Sequence, residues 1–229
     1  MVKIFIDPGH GGTDPGAVGN GLQEKNLTLQ IATRIKDILV AEYNNVTIKM
    51  SRTGDTFPSL NDRTDQANAW GADFFLSVHI NSGGGTGYED FIYTSTGQAA
   101  KTYQDNIHAA IMKLVDFKDR GQKTGNLHVL RESSMPALLT ESGFIDSATD
   151  SAKLKTATFI ESLARGHVNG IVKSFSLTKK STAVYHTVVN GDTVYALSRT
   201  YGSTANQIKD WNGLDADYTI KVGQTLRVK

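Results

Sequence analysis

Four side chains in this 229-residue sequence could do chemistry together: His10, Glu24, His79 and Glu141. Two imidazoles and one carboxylate, with a position left open for water, make a common catalytic zinc set. A further free carboxylate beside such a metal can take a proton from the attacking water. Taken singly each residue has a plainer reading. A lone strand histidine is more often packed core than ligand, and a glutamate at a helix start is favoured by the helix dipole alone.

Their placement at the ends of apolar runs singles them out. The run Val2-Lys3-Ile4-Phe5-Ile6 leads into "DPGHGGTDPGAVGNGLQEKN" (residues 7–26), which carries His10 and Glu24. "DFFLSVHIN" brings a second run to His79, and "PALLTESGF" brings a third to Glu141. In an open α/β sheet, ligands bind in the crevice beyond the carboxyl ends of the strands. Glu24 stands just before the first amphipathic helix and reaches the same edge. The glycines of the opening stretch do not fit a phosphate cradle: no lysine stands where a P-loop needs one. A G-x-G-x-x-G frame started at Gly9 meets Asp14 where the third glycine belongs. They are read instead as bending the chain so that His10 and Glu24 meet.

The elements that must position these groups follow from hydrophobic patterning. Strands are predicted over residues 3–7, 46–51, 73–79, 91–94 and 137–141. Leu27, Ile31, Ile35, Ile38 and Leu39 recur at helical spacing, as do Leu154, Ile160, Leu163, Val168 and Ile171. Strands alternating with helices of this length predict an α/β domain, a mostly parallel twisted sheet flanked by helices. The glycine-rich run "NSGGGTGYE" (81–89) is read as a mobile loop beside the site. Asn81 is placed to orient substrate or a ligand. Arg63 is either a buried helix anchor or a substrate contact, and His128 is a candidate substrate contact. His108 and His167 fall inside helical patterns and are read as surface or packing residues.

Composition narrows the remaining classes. The net charge is +1, which gives no general attraction to nucleic acid or anionic membrane. There are no cysteines, so any metal must be held by His, Asp and Glu. No stretch approaches a membrane span, and the first residues lack the apolar run of a signal peptide. Near residue 176 the composition shifts. "SLTKKSTAV" (176–184) is polar and aperiodic and is read as a linker, dividing the chain into 1–175, 176–184 and 185–229. The last segment predicts a strand at 186–189, helices at 193–201 and 204–212, and a strand at 225–228, a small β-α-α-β unit. Its helix pair invites a helix-turn-helix reading. Five Lys/Arg against four Asp in residues 185–229 leave no electrostatic footprint for DNA.

"DPGHGGTDPGAVGNGLQEKNLTLQIA", "LNDRTDQAN", "ADFFLSVHIN" and "HVLRESSMPALLTESGFID" together resemble the zinc-dependent N-acetylmuramoyl-L-alanine amidases, over nearly all of residues 1–175. The resemblance implies Zn2+ held by His10, Glu24 and His79, with Glu141 as the catalytic glutamate. It also implies hydrolysis of the amide between N-acetylmuramic acid and L-alanine in bacterial peptidoglycan. "YHTVVNGDTVYALSRTYGSTANQIKDWNGL" with "IKVGQTLRV" resembles a LysM module, a binder of N-acetylglucosamine-containing glycans. That resemblance implies a shallow groove formed by Gly191, Asp192, Thr193 and Val194, with Leu214 and Ile220 opposite. Asp192 and Thr193 also suit a plain helix-capping role. Alternatives are a zinc deacetylase or peptidase acting on the wall, or an inert wall-binding protein. Without a signal peptide, such an enzyme is expected to reach the wall through a holin pore or on lysis of the cell that made it.

Overall fold

The computed structural model describes residues 1–181 and 183–229; Thr182, within the expected linker, lies outside the described residues. In chain order the elements are β1 (Val2–Pro8), β2 (Val18–Gly19), β3 (Leu22–Gln23), α1 (Glu24–Glu42), β4 (Val46–Met50), α2 (Leu60–Trp70), β5 (Phe74–Asn81), β6 (Tyr88–Ile92), α3 (Gln98–Met112), β7 (Asp119–Thr124), α4 (His128–Arg131), β8 (Ala137–Phe144), α5 (Ala148–Leu154), α6 (Ala157–Phe175), β9 (Tyr185–Thr187), α7 (Val194–Tyr201), α8 (Ala205–Asn212) and β10 (Thr225–Arg227). They form two compact units, Met1–Lys179 and Lys180–Lys229. Among the described residues no helix is long and apolar enough to cross a membrane.

The first unit is built on a six-stranded sheet in the order β4-β1-β5-β8-β6-β7. Every pairing is parallel except β6 with β8. Successive strand side chains point to opposite faces, so the register sorts the residues. Ile4, Ile6, Phe74, Leu76, Val78 and Leu138 pack with residues of α1, α3 and α6 in the larger core. Phe5, Phe75, Ala137 and Leu139 face the other way, packing with Ala67 of α2 and with Val129 and Leu130 of α4. Burial on both faces is why these strands read as continuous apolar runs rather than alternating ones. Past Lys3 at the amino end of β1, which reaches Trp70 of α2, polarity enters on the α2/α4 face as the strands approach their carboxyl ends. Asp7 pairs with Ser77, and then His79 with Glu141.

Two of the histidines expected to pack do so, in different ways. His108 is buried between Asp90 and Asp119, at 2.9 and 3.1 Å. His167 is fully buried. A carbonyl only accepts, so its Nδ1 donates to Leu163 O and its Nε2 accepts from the Thr140 hydroxyl. Burial lowers the His167 pKa to about 4. The unfolded chain takes up this proton near pH 6.5 and the folded chain only near 4, so stability falls as pH drops through that window. The expected loss is about 3 kcal/mol by pH 4. Denaturant titrations from pH 7 to 4 should show wild type losing that much more stability than His167→Gln; parallel curves would remove the assignment.

Three expectations about loops and strands change. The polar strand β7 and the short β2–β3 hairpin were not predicted. β7 lies at the sheet edge and reads "DRGQKT", with no apolar alternation to reveal it; charged edge strands resist edge-to-edge association. The run 81–89, read as a mobile loop, is tied down. Asp146 accepts from the Gly83 and Gly84 amides, and Asp150 from Gly87 and Thr86. Its last two residues belong to β6. The beginning of the expected linker also belongs to the first unit: Leu177 is buried in the larger core, and Thr178 O accepts from the Asn44 amide at 2.9 Å.

The second unit packs Val188, Val194, Leu197, Ala205, Ile208, Leu226 and Val228 into its own core. β9 and β10 pair antiparallel beside the two helices.

Candidate metal centre and active site

Immediately after β1 the chain turns sharply, with His10 at φ 61°, Gly11 at 128° and Gly12 at 54°. A non-glycine residue in the left-handed region costs on the order of 1–3 kcal/mol and persists only when its surroundings enforce it. Two buried arginines supply that enforcement. Arg63 donates through Nη1 to Asp7 Oδ1 (2.6 Å) and Pro8 O (2.8 Å), and through Nη2 to His10 O (2.8 Å). Arg52 donates to Pro8 O, and through Nη2 to Gly9 O and to Lys25 O in the first turn of α1. The loop bearing His10 is thereby tied to the helix bearing Glu24.

Glu24, the first residue of α1, is buried between the two imidazoles. Its Oε1 lies 2.9 Å from His79 Nδ1 and accepts from the Ile80 amide at 2.9 Å. Its Oε2 lies 3.1 Å from His10 Nε2 and accepts from the Ala17 amide at 2.9 Å. Asp14 Oδ2 sits 2.7 Å from His10 Nδ1. Carboxylates only accept, so without metal both ring nitrogens carry a proton; a cation would displace the one on Nε2 while Asp14 holds the one on Nδ1, a carboxylate–histidine support typical of metal sites. One donor atom from each of His10, Glu24 and His79 lies within 4.8 Å of the others.

This set suits zinc. Tetrahedral bonds of about 2.0–2.1 Å place ligand atoms about 3.3 Å apart, inside the 4.8 Å within which the three donor atoms already lie. The glycines serve the same end. A Cβ on Gly9 would stand 2.3 Å from His79 Cε1, and one on Gly16 would stand 2.6 Å from both Glu24 Oε2 and His10 Cδ2.

The electrostatics agree. Burial alone would lower the His10 pKa, but the hydrogen bond and charge of Glu24, with Asp14, raise it to about 9. His79 is also raised, by Glu24 and Glu141 against the effect of burial. Burial would raise Glu24, yet the two imidazoles hold it well below the usual carboxylate range. A pocket that concentrates negative potential this way binds protons or a cation in competition.

Glu141 stands beside His79 in strand register. Its Oε2 is buried with no hydrogen-bond partner. Burial, helped by the charges of Glu24 and Glu89 and opposed by His79, pushes its carboxyl up to about 7. It is an uncommitted base next to the three converging donors. Glu89 comes next in the row, paired with Glu141 across β6–β8. It is buried and was missed in the sequence because its run reads as loop.

Beside the two histidines lies a cleft of about 430 Å3, lined among others by His10, His79, Phe57, Leu60, His128 and Leu139; Glu24 and Glu141 are not among its lining residues. A wider concavity of about 520 Å3 between α1 and α6, lined by Leu29, Arg34, Ile160 and Glu161, contains none of the four groups. His128 Nε2 is buried in the cleft wall without a partner, so a substrate contact stays open to it. Arg63 also lines the cleft, and its terminal nitrogens are committed to Asp7, Pro8 and His10, the contacts of the anchor alternative. Asn81 is likewise engaged, donating to Glu89 Oε1 at 2.8 Å and accepting from the Ser82 amide; it orients Glu89 rather than a metal ligand.

In the second unit, Gly191 takes φ 93° in the turn before α7. Asp192 accepts from the Val189 amide and lies 2.7 Å from His186 Nε2, while Thr193 caps α7 through the Ala196 amide. Val194 is only 2% exposed and belongs to the core, so its side chain cannot line a groove. Leu214 and Ile220 pack partly buried against that core.

The fold has counterparts among known proteins. The family model for N-acetylmuramoyl-L-alanine amidase matches residues 4–173, and that for the LysM domain matches 186–229. The chain is similar to the sporulation-specific N-acetylmuramoyl-L-alanine amidase of Bacillus subtilis (strain 168), at 62% identity over 191 residues, 83% of this chain and 75% of that one. It is similar to the endolysin of Bacillus phage SPP1, at 45% identity over 185 residues, 78% of this chain and 68% of that one. Among solved structures it resembles the N-acetylmuramoyl-L-alanine amidase from Clostridium difficile 630, with a TM-score of 0.75 and 34% identity, covering 77% of this chain and 97% of that one. With a family match spanning all but the first two residues of the sheet and including His10, Glu24, His79 and Glu141, the chain belongs to the N-acetylmuramoyl-L-alanine amidase family and carries a C-terminal LysM domain.

Proposed function

We propose that this cell-wall amidase hydrolyses the amide between N-acetylmuramic acid and L-alanine with His10, Glu24 and His79 holding a zinc ion and Glu141 acting as general base. The observation that carries the reading is the Glu141 carboxyl, buried, without a partner, and in register beside His79. When bound, zinc supplies Lewis acidity to an oxygen in the cleft. Glu141 takes the proton of the attacking water and returns it to the departing alanine amine. Asp14 keeps the His10 proton on Nδ1, so Nε2 stays available. Arg63 and Arg52 hold the loop and helix that carry the ligands, so little reorganisation accompanies each turnover.

The LysM unit supplies attachment to N-acetylglucosamine-containing glycan. Tethering a weak binder to the amidase raises the enzyme's effective concentration at its substrate. Gly191, Asp192, Thr193, Leu214 and Ile220 remain the residues proposed to face the sugar.

Digestion of purified peptidoglycan followed by mass spectrometry tests the reading. New L-alanine amino termini should form without new reducing sugar ends, cease on chelation, and return when zinc is restored. Free acetate among the products would show a deacetylase, and cleavage persisting in a metal-free digest would remove the zinc assignment.

A further inference from the structure

The row of charged residues does not end at Glu89. In a regular strand Arg120 and Lys123, three apart, would face opposite sides of the sheet. Here β7 has one residue more than β6 between the Tyr88–Asp119 and Asp90–Gln122 pairs. Gly121, at φ 81°, lies in that bulge. Bulges re-aim side chains and recur beside active sites. This one turns Arg120 and Lys123 onto the face that carries Glu89 and Glu141. Both donate to Glu89 Oε2, Arg120 through Nε at 2.7 Å and Lys123 through Nζ. One buried carboxylate thus meets two cations. The Arg120 guanidinium is also seated over the Phe144 ring, 4.7 Å from its centre. Its two terminal nitrogens have no acceptor among the described residues, and its side chain is 29% exposed. A guanidinium braced at Nε and stacked on a ring presents a ready fork for a planar anion.

Position indicates which anion. Resting on the amidase reading above, the amine that leaves takes its proton from Glu141. The peptide therefore departs on the side of Glu141 away from the metal ligands, toward β6 and β7. Arg120 reaches back to Glu89 on β6, one strand spacing or about 5 Å from β8, and an extended peptide covers that in about two residues. We infer that Arg120, assisted by Lys123 and latched by Glu89, binds a carboxylate of the stem peptide, that of the acidic residue following L-alanine, and so sets preference for acidic over amidated stems.

Two synthetic muramoyl peptides test this with the zinc-loaded full chain. They are identical except that the residue after L-alanine carries a free carboxylate in one and a carboxamide in the other. Wild type should cut the acid with a KM about tenfold lower than the amide, the scale of one charge-assisted contact. Arg120→Gln should erase that ratio by raising KM on the acid alone, with kcat unchanged on both. Arg120→Lys, which still neutralises Glu89 but lacks the fork, should keep part of the ratio. Equal KM values for wild type on both peptides would overturn the inference. So would an Arg120→Gln variant that loses kcat equally on both, because that marks a role through Glu89 alone. Failure of wild type to release alanine termini from either peptide would instead bring down the amidase reading, and this inference with it.

Discussion

Replacing Glu141 by glutamine lowers kcat about a hundred- to ten-thousandfold, the range over which a positioned general base contributes. The substitution keeps the shape of the side chain and removes only its capacity to accept a proton. Zinc content and attachment to walls stay at wild-type levels, because His10, Glu24, His79 and the LysM unit are untouched. The wild-type pH–rate profile should have an acid limb, since the base works only when deprotonated. In the metal-free protein Glu141 sits at about 7, and a cation beside it lowers that value, so the limb falls below pH 7. The variant lacks the limb. It should also be more stable than wild type as metal-free protein. A carboxyl raised from 4.5 to about 7 by folding loses stability as pH rises through that interval, about 3 kcal/mol in all, and glutamine does not. Measuring the pH–rate profile, zinc content and wall binding, with denaturant midpoints of the metal-free proteins at pH 8, checks each of these. Near-normal turnover by Glu141→Gln would place the base elsewhere.

Arg63→Leu should cost about 3–5 kcal/mol of stability, a large part of the roughly 5–15 kcal/mol available to a domain. The pair it breaks is buried on both sides, with side-chain exposures of 4% for Arg63 and 1% for Asp7. Without the guanidinium, Asp7 keeps only the hydroxyls of Ser51 and Ser77. The His10 carbonyl loses its donor as well, so the left-handed turn loosens and zinc affinity falls along with stability. Adding Asp7→Asn in the Arg63→Leu background should restore part of the loss by removing the uncompensated charge. Urea midpoints for the four-member cycle, with zinc titration of each, measure both effects. A change under about 1 kcal/mol for Arg63→Leu would mean the arginine is dispensable to the loop.

The sheet was legible because strands β1, β5 and β8 are buried on both faces and so spell unbroken apolar runs. Their carboxyl ends could be read directly as a candidate site. β7 was not legible, since an edge strand of polar residues has no periodic apolar face to betray it. The glycine run before β6 looked loose because the groups that tie it down, Asp146 and Asp150, lie some sixty residues further along the chain.

The amino-acid order by itself singled out the residues that could hold a cation and supply a base: two imidazoles and two carboxyls at strand ends and a helix start, in a chain without cysteine. It also determined the division into an α/β unit and a small β-α-α-β unit, because local periodicity and composition change sharply between them. Tertiary packing decided the rest. Whether Arg63 touches substrate or anchors a strained turn depends on what lies within about 3 Å of its guanidinium. That neighbour, Asp7, is 56 residues away in sequence. Whether Arg120 and Lys123 share a face depends on one extra residue in a bulge, which no pattern of residue types reports. Side-chain roles set by long-range contact and by register appear only when the strands are placed side by side.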